Sequence, residues 1–225
     1  PKGRIHVIGT PAEEGGGGKL RLIQGGVFKQ VDCAMMIHGF DRTILHPDLL
    51  GIVRAGFEFR GKASHASADP WEGVNALDAC IQMFNNVAML RQQVRPDCRI
   101  HGIITHGGAA ANIIPEYAAA LFYVRAPRLD QMWDLYKRVV ACAEGAARAT
   151  GATLTVTPHD NVYEPMKRNQ ALLDLFAANM VTVGLTEAEP VRDRMGSSDV
   201  GNVSQVVPAI QPMVAIAPLG MAIHT

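Results

Sequence analysis

The sequence predicts an α/β protein: a split α/β domain, incomplete, with a smaller ferredoxin-like β-α-β-β-α-β unit inserted in it. Three observations carry this. Short apolar runs alternate with helical periodicities along the 225 residues. Glycine and proline punctuate the runs. The pattern also changes near Gly51 and again near Asp160, and the β-α-β-β-α-β order falls between them. The expected division is residues 1–50 with 160–225 as the outer domain, and 51–159 as the insert.

Each element has its own warrant. Arg4 to Ile8 is a short β-type run ending in Gly9-Thr-Pro-Ala-Glu-Glu14 and four glycines, Gly15 to Gly18. Loops at the carboxyl ends of strands are where α/β folds place their sites. Lys19 to Gly26 reads as a helix with a glycine stop, and Val31 to Ile37 as an apolar strand delivering His38 at its end. In the insert, Ile52 to Arg60 alternates as a strand. Trp71 to Val94 is a helical stretch, with Leu77, Ile81, Phe84, Ala88 and Leu90 near helical spacing. Arg99 to His106 and Tyr117 to Arg125 are strands. Asp130 to Thr150 is a helix with Met132, Leu135, Val139 and Ala143 on one side, and Ala152 to Thr157 is the last strand. Beyond the insert, Asn169 to Val183 and Val200 to Val207 read as helices and Gln211 to Ala217 as an apolar strand.

Composition bounds the function. Lys plus Arg equals Asp plus Glu at 21 each, which argues against a general electrostatic grip on nucleic acid or an anionic membrane. Hydrophobic content of 48% with 19% charged residues is that of a soluble globular protein. The longest apolar stretch, Ala209 to Ile223, is broken by Gln211, Pro212, Pro218 and Gly220 and is too short to span a bilayer. Cys33, Cys80, Cys98 and Cys142 form no CxxC pair. Their spread fits buried thiols in a reducing compartment, the cytoplasm.

Several residues could carry chemistry. Glu13 and Glu14 are adjacent acids beside the glycine run. One such acid can ligate a metal while its neighbour acts as general base. Two solvated acids on a flexible loop would read the same way. The glycine run is no phosphate loop: Leu20 follows Lys19 where Ser or Thr is needed, and Glu13 stands where the first glycine should be. His38, at a strand end, suits zinc or manganese, or a hydrogen-bonded structural role. His224 follows another apolar stretch and carries the same two readings. His65 lies in a small-residue loop of the insert, Gly61 to Ser67, where it reads as exposed. Ser197, Ser198 and Asp199 lack the GxSxG pattern, which discounts a serine nucleophile.

Taken together, these motifs resemble a known family: the metallopeptidases and amidohydrolases that include aminoacylase, succinyl-diaminopimelate desuccinylase and aminobenzoyl-glutamate hydrolase. The stretches that carry the resemblance are Gly9 to Gly18, Gly107-Gly108 with Asn112-Ile-Ile-Pro115, Arg125-Ala-Pro127 and Gly196 to Asn202. They look most like the branch with aminobenzoyl-glutamate hydrolase and the β-alanyl-lysine type dipeptidases. The resemblance implies a catalytic α/β domain with two divalent metal ions, zinc or manganese, and an inserted lid that dimerises. It implies Glu13 as general base and Glu14, His38 and His224 as metal ligands. It implies His65 as an oxyanion donor, and Asn112, Arg125, Ser197 and Ser198 at the substrate, a small N-acyl amino acid or dipeptide. The family also takes ligands from an earlier strand, as His-x-Asp or Cys-x-His, and a helical segment follows its last histidine. Neither has a counterpart between Pro1 and Thr225. The expectation is therefore a chain truncated at both ends and inactive alone. A different class, a non-catalytic dimerisation or ligand-binding module, is the competing reading.

Overall fold

The computed structural model describes residues 2–188 and 196–221. In chain order its elements are α1 (Gly18–Gln24), β1 (Ala34–Met35), β2 (His38–Phe40), β3 (Gly51–Arg60), α2 (Ala76–Leu90), β4 (Arg99–His106), β5 (Tyr117–Ala126), α3 (Leu129–Thr150), β6 (Thr153–Pro158), α4 (Gln170–Thr182), α5 (Val200–Val206), β7 (Ala209–Ile210) and β8 (Met213–Ala215). The chain divides into two compact units, Pro1–Gly51 with Tyr163–Thr225, and Ile52–Val162.

The Ile52–Val162 unit is one four-stranded sheet in the order β4-β5-β3-β6, with α2 and α3 packed on it. Strand alternation sets its two faces. Val53, Ala55, Phe57 and Phe59 of β3 and Ala118, Ala120, Phe122 and Val124 of β5 are buried on the helix side. The helices answer with Cys80, Met83 and Val87 from α2 and Met132, Leu135 and Val139 from α3. Phe122 is the hub: its ring centroid is 5.8 Å from Phe57, edge-on, and 4.7 Å from Phe84. Burying each large apolar side chain contributes about 1.5–3 kcal/mol. α2 is shorter than the periodicity suggested. Asn75 caps it, its side chain accepting from the Leu77 and Asp78 N–H groups at 2.9 and 3.2 Å. Pro70–Glu72 and Arg91–Gln93 on either side are 3-10 turns. α3 stops at Gly151, whose φ of 78° suits glycine alone.

The outer unit is built from much shorter pieces. β1 runs parallel to β7, pairing Ala34 with Ala209. β2 runs parallel to β8, pairing His38 with Met213 and Phe40 with Ala215. Phe28, Val203, Val207 and Ala209 form a small apolar cluster beside them. Three sequence expectations change here. Arg4 to Ile8 is not a strand, because among the described residues no partner pairs with it; Ile5 and Val7 are exposed. Val31 to Ile37 yields only β1, and His38 opens β2 rather than ending a strand. Gln211 to Ala217 does not run as one strand: β7 ends before it at Ile210, and only Met213–Ala215 pairs, as β8. Pro212 has no N–H to give a ladder, though its carbonyl accepts from His38 N–H at 3.0 Å.

All four cysteines are free. Cys80 and Cys98 are buried as expected and Cys142 is half-buried, but Cys33 is exposed. No described helix is long and apolar enough to cross a membrane.

Candidate active site

Glu13 and Glu14 occupy a turn just ahead of α1, with Glu13 half-buried and Glu14 exposed. The glycines there have definite tasks. Gly17 takes φ 59°, in the left-handed region. A Cβ on Gly18 would stand 1.9 Å from the Pro11 carbonyl oxygen, so only glycine lets the helix start so close to the incoming chain. The Glu13 carbonyl accepts from the Gly15 N–H at 2.7 Å. The same carbonyl accepts from the Tyr163 hydroxyl at 2.7 Å, and that hydroxyl accepts from the Gly17 N–H at 3.1 Å. Next along the chain, Lys19 Nζ meets Asp199 Oδ1 at 2.7 Å, and Lys19 N–H donates to Asp199 Oδ2 at 3.1 Å. Lys19, Tyr163 and Asp199 are all buried.

His38 is half-buried, and its Nδ1–H donates to the Gly39 carbonyl at 2.7 Å. A carbonyl only accepts, so Nδ1 carries a proton; in the neutral ring this leaves the Nε2 lone pair as the one that binds a cation. Beyond β2, the buried Asp41 carboxylate accepts from Arg42 Nε at 2.9 Å and from the Gly220 N–H at 2.9 Å. The Thr43 hydroxyl accepts from the Ala215 N–H at 3.2 Å. These bonds tie the turn at Pro218–Met221 to the end of the His38 strand. His224 lies outside the described residues.

In the other unit, His65 and Asn112 are brought together by backbone pairing. The Asn112 carbonyl accepts from Ala66 N–H at 3.0 Å, the Ser64 carbonyl accepts from Ile114 N–H at 2.9 Å, and His65 bridges Ile113. Both side chains are exposed. His65 Nδ1 accepts from the backbone N–H of Ser67 at 3.3 Å and of Ala68 at 3.2 Å. Its proton therefore sits on Nε2, which points the imidazole's donor away from its own turn. Arg125 is half-buried on β5. Burial first, and then the neighbouring Arg54 charge, push its guanidinium below the ordinary range. Ser197 is half-buried. Ser198 is buried, and its hydroxyl accepts from the Val200 N–H at 3.3 Å, so it faces the start of α5 rather than solvent.

Among the described residues, no three His, Cys, Asp or Glu side chains form a group that could hold a metal ion. Glu14 and His38 supply an oxygen and an imidazole donor but fall short of such a group. Sequence reading missed Tyr163, Asp41 and the Lys19–Asp199 pair. Lys19 and Asp199 are 180 residues apart and Tyr163 lies 150 from Glu13, so no local pattern could signal them.

Residues 49–150 match the peptidase dimerisation domain family. The Xaa-Arg dipeptidase of Mus musculus is 40% identical over 215 residues, covering 94% of this chain and 50% of that protein. One of the subunits of the p-aminobenzoyl-glutamate hydrolase of Escherichia coli is 34% identical over 154 residues, 68% of this chain and 32% of that one. Among solved structures, a dinuclear metal-binding peptidase of the M20 family from Bacillus subtilis superposes with a TM-score of 0.67 at 18% identity, over 91% of this chain and 54% of that one. The aminobenzoyl-glutamate utilization protein of Klebsiella pneumoniae gives a TM-score of 0.69 at 19% identity, over 85% and 52% respectively. The chain spans about half the length of the Xaa-Arg dipeptidases it matches. The family match and the relatives agree: residues 49–150 belong to the peptidase dimerisation domain family, and the chain as a whole is similar to M20-type peptidases and amidohydrolases.

Proposed function

We propose that the whole protein hydrolyses an amide bond in a dipeptide or a small N-acyl amino acid, with Glu13 as the general base. The observation that carries this is the 40% identity to an Xaa-Arg dipeptidase across 94% of the chain. The geometry of the Glu13 loop supports it, since its backbone is tied at both ends while the side chain keeps access to solvent. Glu13 takes a proton from the attacking water and delivers one to the leaving amine. In the Ile52–Val162 unit, His65 donates from Nε2 to the oxyanion that develops on the amide carbonyl. Arg125 grips a substrate carboxylate through two parallel hydrogen bonds, and Asn112 holds a carbonyl. Ser197, half-buried, completes the substrate contacts in this reading, while the Ser198 hydroxyl is turned to the start of α5.

The M20 relative from Bacillus subtilis is described as dinuclear and metal-binding. Two divalent ions, zinc or manganese, belong to this reading of the whole protein, with Glu14, His38 and His224 as ligands. The described residues by themselves do not assemble a three-ligand group. The Ile52–Val162 unit is read as a ferredoxin-like lid that dimerises, and its edge strand β4 leaves Ile103 and Ile104 exposed. Four free cysteines favour a cytoplasmic location.

The test is Glu13→Gln in the whole protein, assayed on a panel of dipeptides and N-acyl amino acids. Removing a general base lowers kcat by about 10²–10⁴-fold. Turnover within twofold of the unaltered protein would remove Glu13 from that role.

A further inference from the structure

We propose that Tyr163 is a positioning residue for Glu13, backed by the buried Lys19–Asp199 pair. This rests on the general-base reading of Glu13 above. The loop from Glu13 to Gly17 holds three consecutive glycines, the residue type that loses most backbone freedom on ordering. A general base on such a loop needs ties from outside it, because proton transfer tolerates little displacement of the carboxylate.

Tyr163 supplies those ties from one oxygen atom. Its hydroxyl donates to the Glu13 carbonyl at 2.7 Å and accepts from Gly17 N–H at 3.1 Å, so it joins the two ends of the loop. Tyr163 is only 2% exposed, which limits the access of water to its hydroxyl. Lys19 and Asp199 fix the residues that follow. The carboxylate takes both the side-chain ammonium and the backbone N–H of Lys19, which anchors the first turn of α1 in two directions. The Pro11 carbonyl packs against Gly18 so closely that no Cβ fits, which closes the loop from its other side. The Glu13 backbone is thus held from both sides by groups outside the loop. Tyr163 touches neither substrate nor the reacting atoms in this reading; it acts through Glu13.

Two measurements test this, one of them independent of turnover. In Tyr163→Phe, hydrogen exchange of the 13–18 backbone amides should accelerate at least tenfold, while amides of α3 keep their rates. In the whole protein, the same variant should lower kcat by about 10- to 100-fold with KM nearly unchanged, the size expected for a misplaced catalytic group. Asp199→Asn, which keeps the side-chain shape, should move both readouts the same way by a smaller amount and covers the case of Tyr163→Phe failing to fold. Unchanged exchange in both variants overturns the clamp. Faster exchange with kcat unchanged overturns its role in positioning Glu13. If Glu13→Gln leaves turnover intact, the general-base reading itself fails, whatever Tyr163→Phe does.

Discussion

Both units bury apolar side chains, but they differ in what else they bury. The Ile52–Val162 unit closes on an apolar interior of phenylalanines, methionines and small aliphatics from two strands and two helices. Every buried polar or charged side chain among the described residues lies in the outer unit instead: Lys19, Asp41, Thr43, Ser198, Asp199, Ser204 and Gln211. The difference teaches how each unit reaches a definite shape. Long elements with regular alternation specify themselves through area buried. Strands of two or three residues cannot do so, and directed bonds fix the loops between them. The unit that carries Glu13, Glu14 and His38 is the one held by directed bonds.

The largest expected effect lies in the apolar unit. Phe122→Ala removes the ring that touches both Phe57 and Phe84 and leaves a cavity beside the fully buried Phe57 and the half-buried Phe84. It should cost about 3–5 kcal/mol in denaturant unfolding. A loss under about 1 kcal/mol would break the claim that this interior is close-packed.

The counterpart in the outer unit is Asp199→Ala. It strands the Lys19 ammonium with 4% exposure and no anion, at a cost of about 3–5 kcal/mol. The comparison sharpens with the double change Lys19→Met and Asp199→Leu. Replacing both charges of a buried pair by apolar groups is far cheaper than removing one. The double variant should therefore recover more than half of the loss. A double variant as unstable as the single one would mean that the backbone bond from Lys19 N–H to Asp199, rather than the charge pair, holds the segment.

The same contrast explains what was legible in the sequence. β4 and β5 were readable nearly residue for residue, because alternation and flanking glycines are local signals. In the outer unit the apolar runs were visible but their lengths were not. Val31 to Ile37 and Gln211 to Ala217 have strand composition, yet pairing across some 175 residues decides which two or three of them form a ladder. Arg4 to Ile8 shows the limit of propensity: a β-type run becomes a strand only where backbone partners exist. For the candidate site, the Glu-Glu turn and His38 stood out by composition. The residues that hold them, Tyr163, Asp199 and Asp41, did not, since their work depends on distance in space and has no periodicity.

The smallest effect separates the units by their thiols. Cys33 of the outer unit is exposed, whereas Cys80 sits in the apolar interior, where burial pushes its thiol up to about 11. With a thiol reagent at pH 8 under native conditions, Cys33 should react first and Cys80 only as fast as the unit opens. The pH dependence follows in sign. An unfolded thiol releases its proton at about 8.5, while folded Cys80 keeps it until about 11. Between those values the unfolded chain binds fewer protons, so stability falls as pH rises through the window. Below it the full contribution is present. Cys80→Ala, compared with the unaltered chain from pH 8 to 11, should flatten that fall even though its starting stability is lower. If the two slopes coincide, burial is not what holds the Cys80 proton, and the interior of the Ile52–Val162 unit admits water.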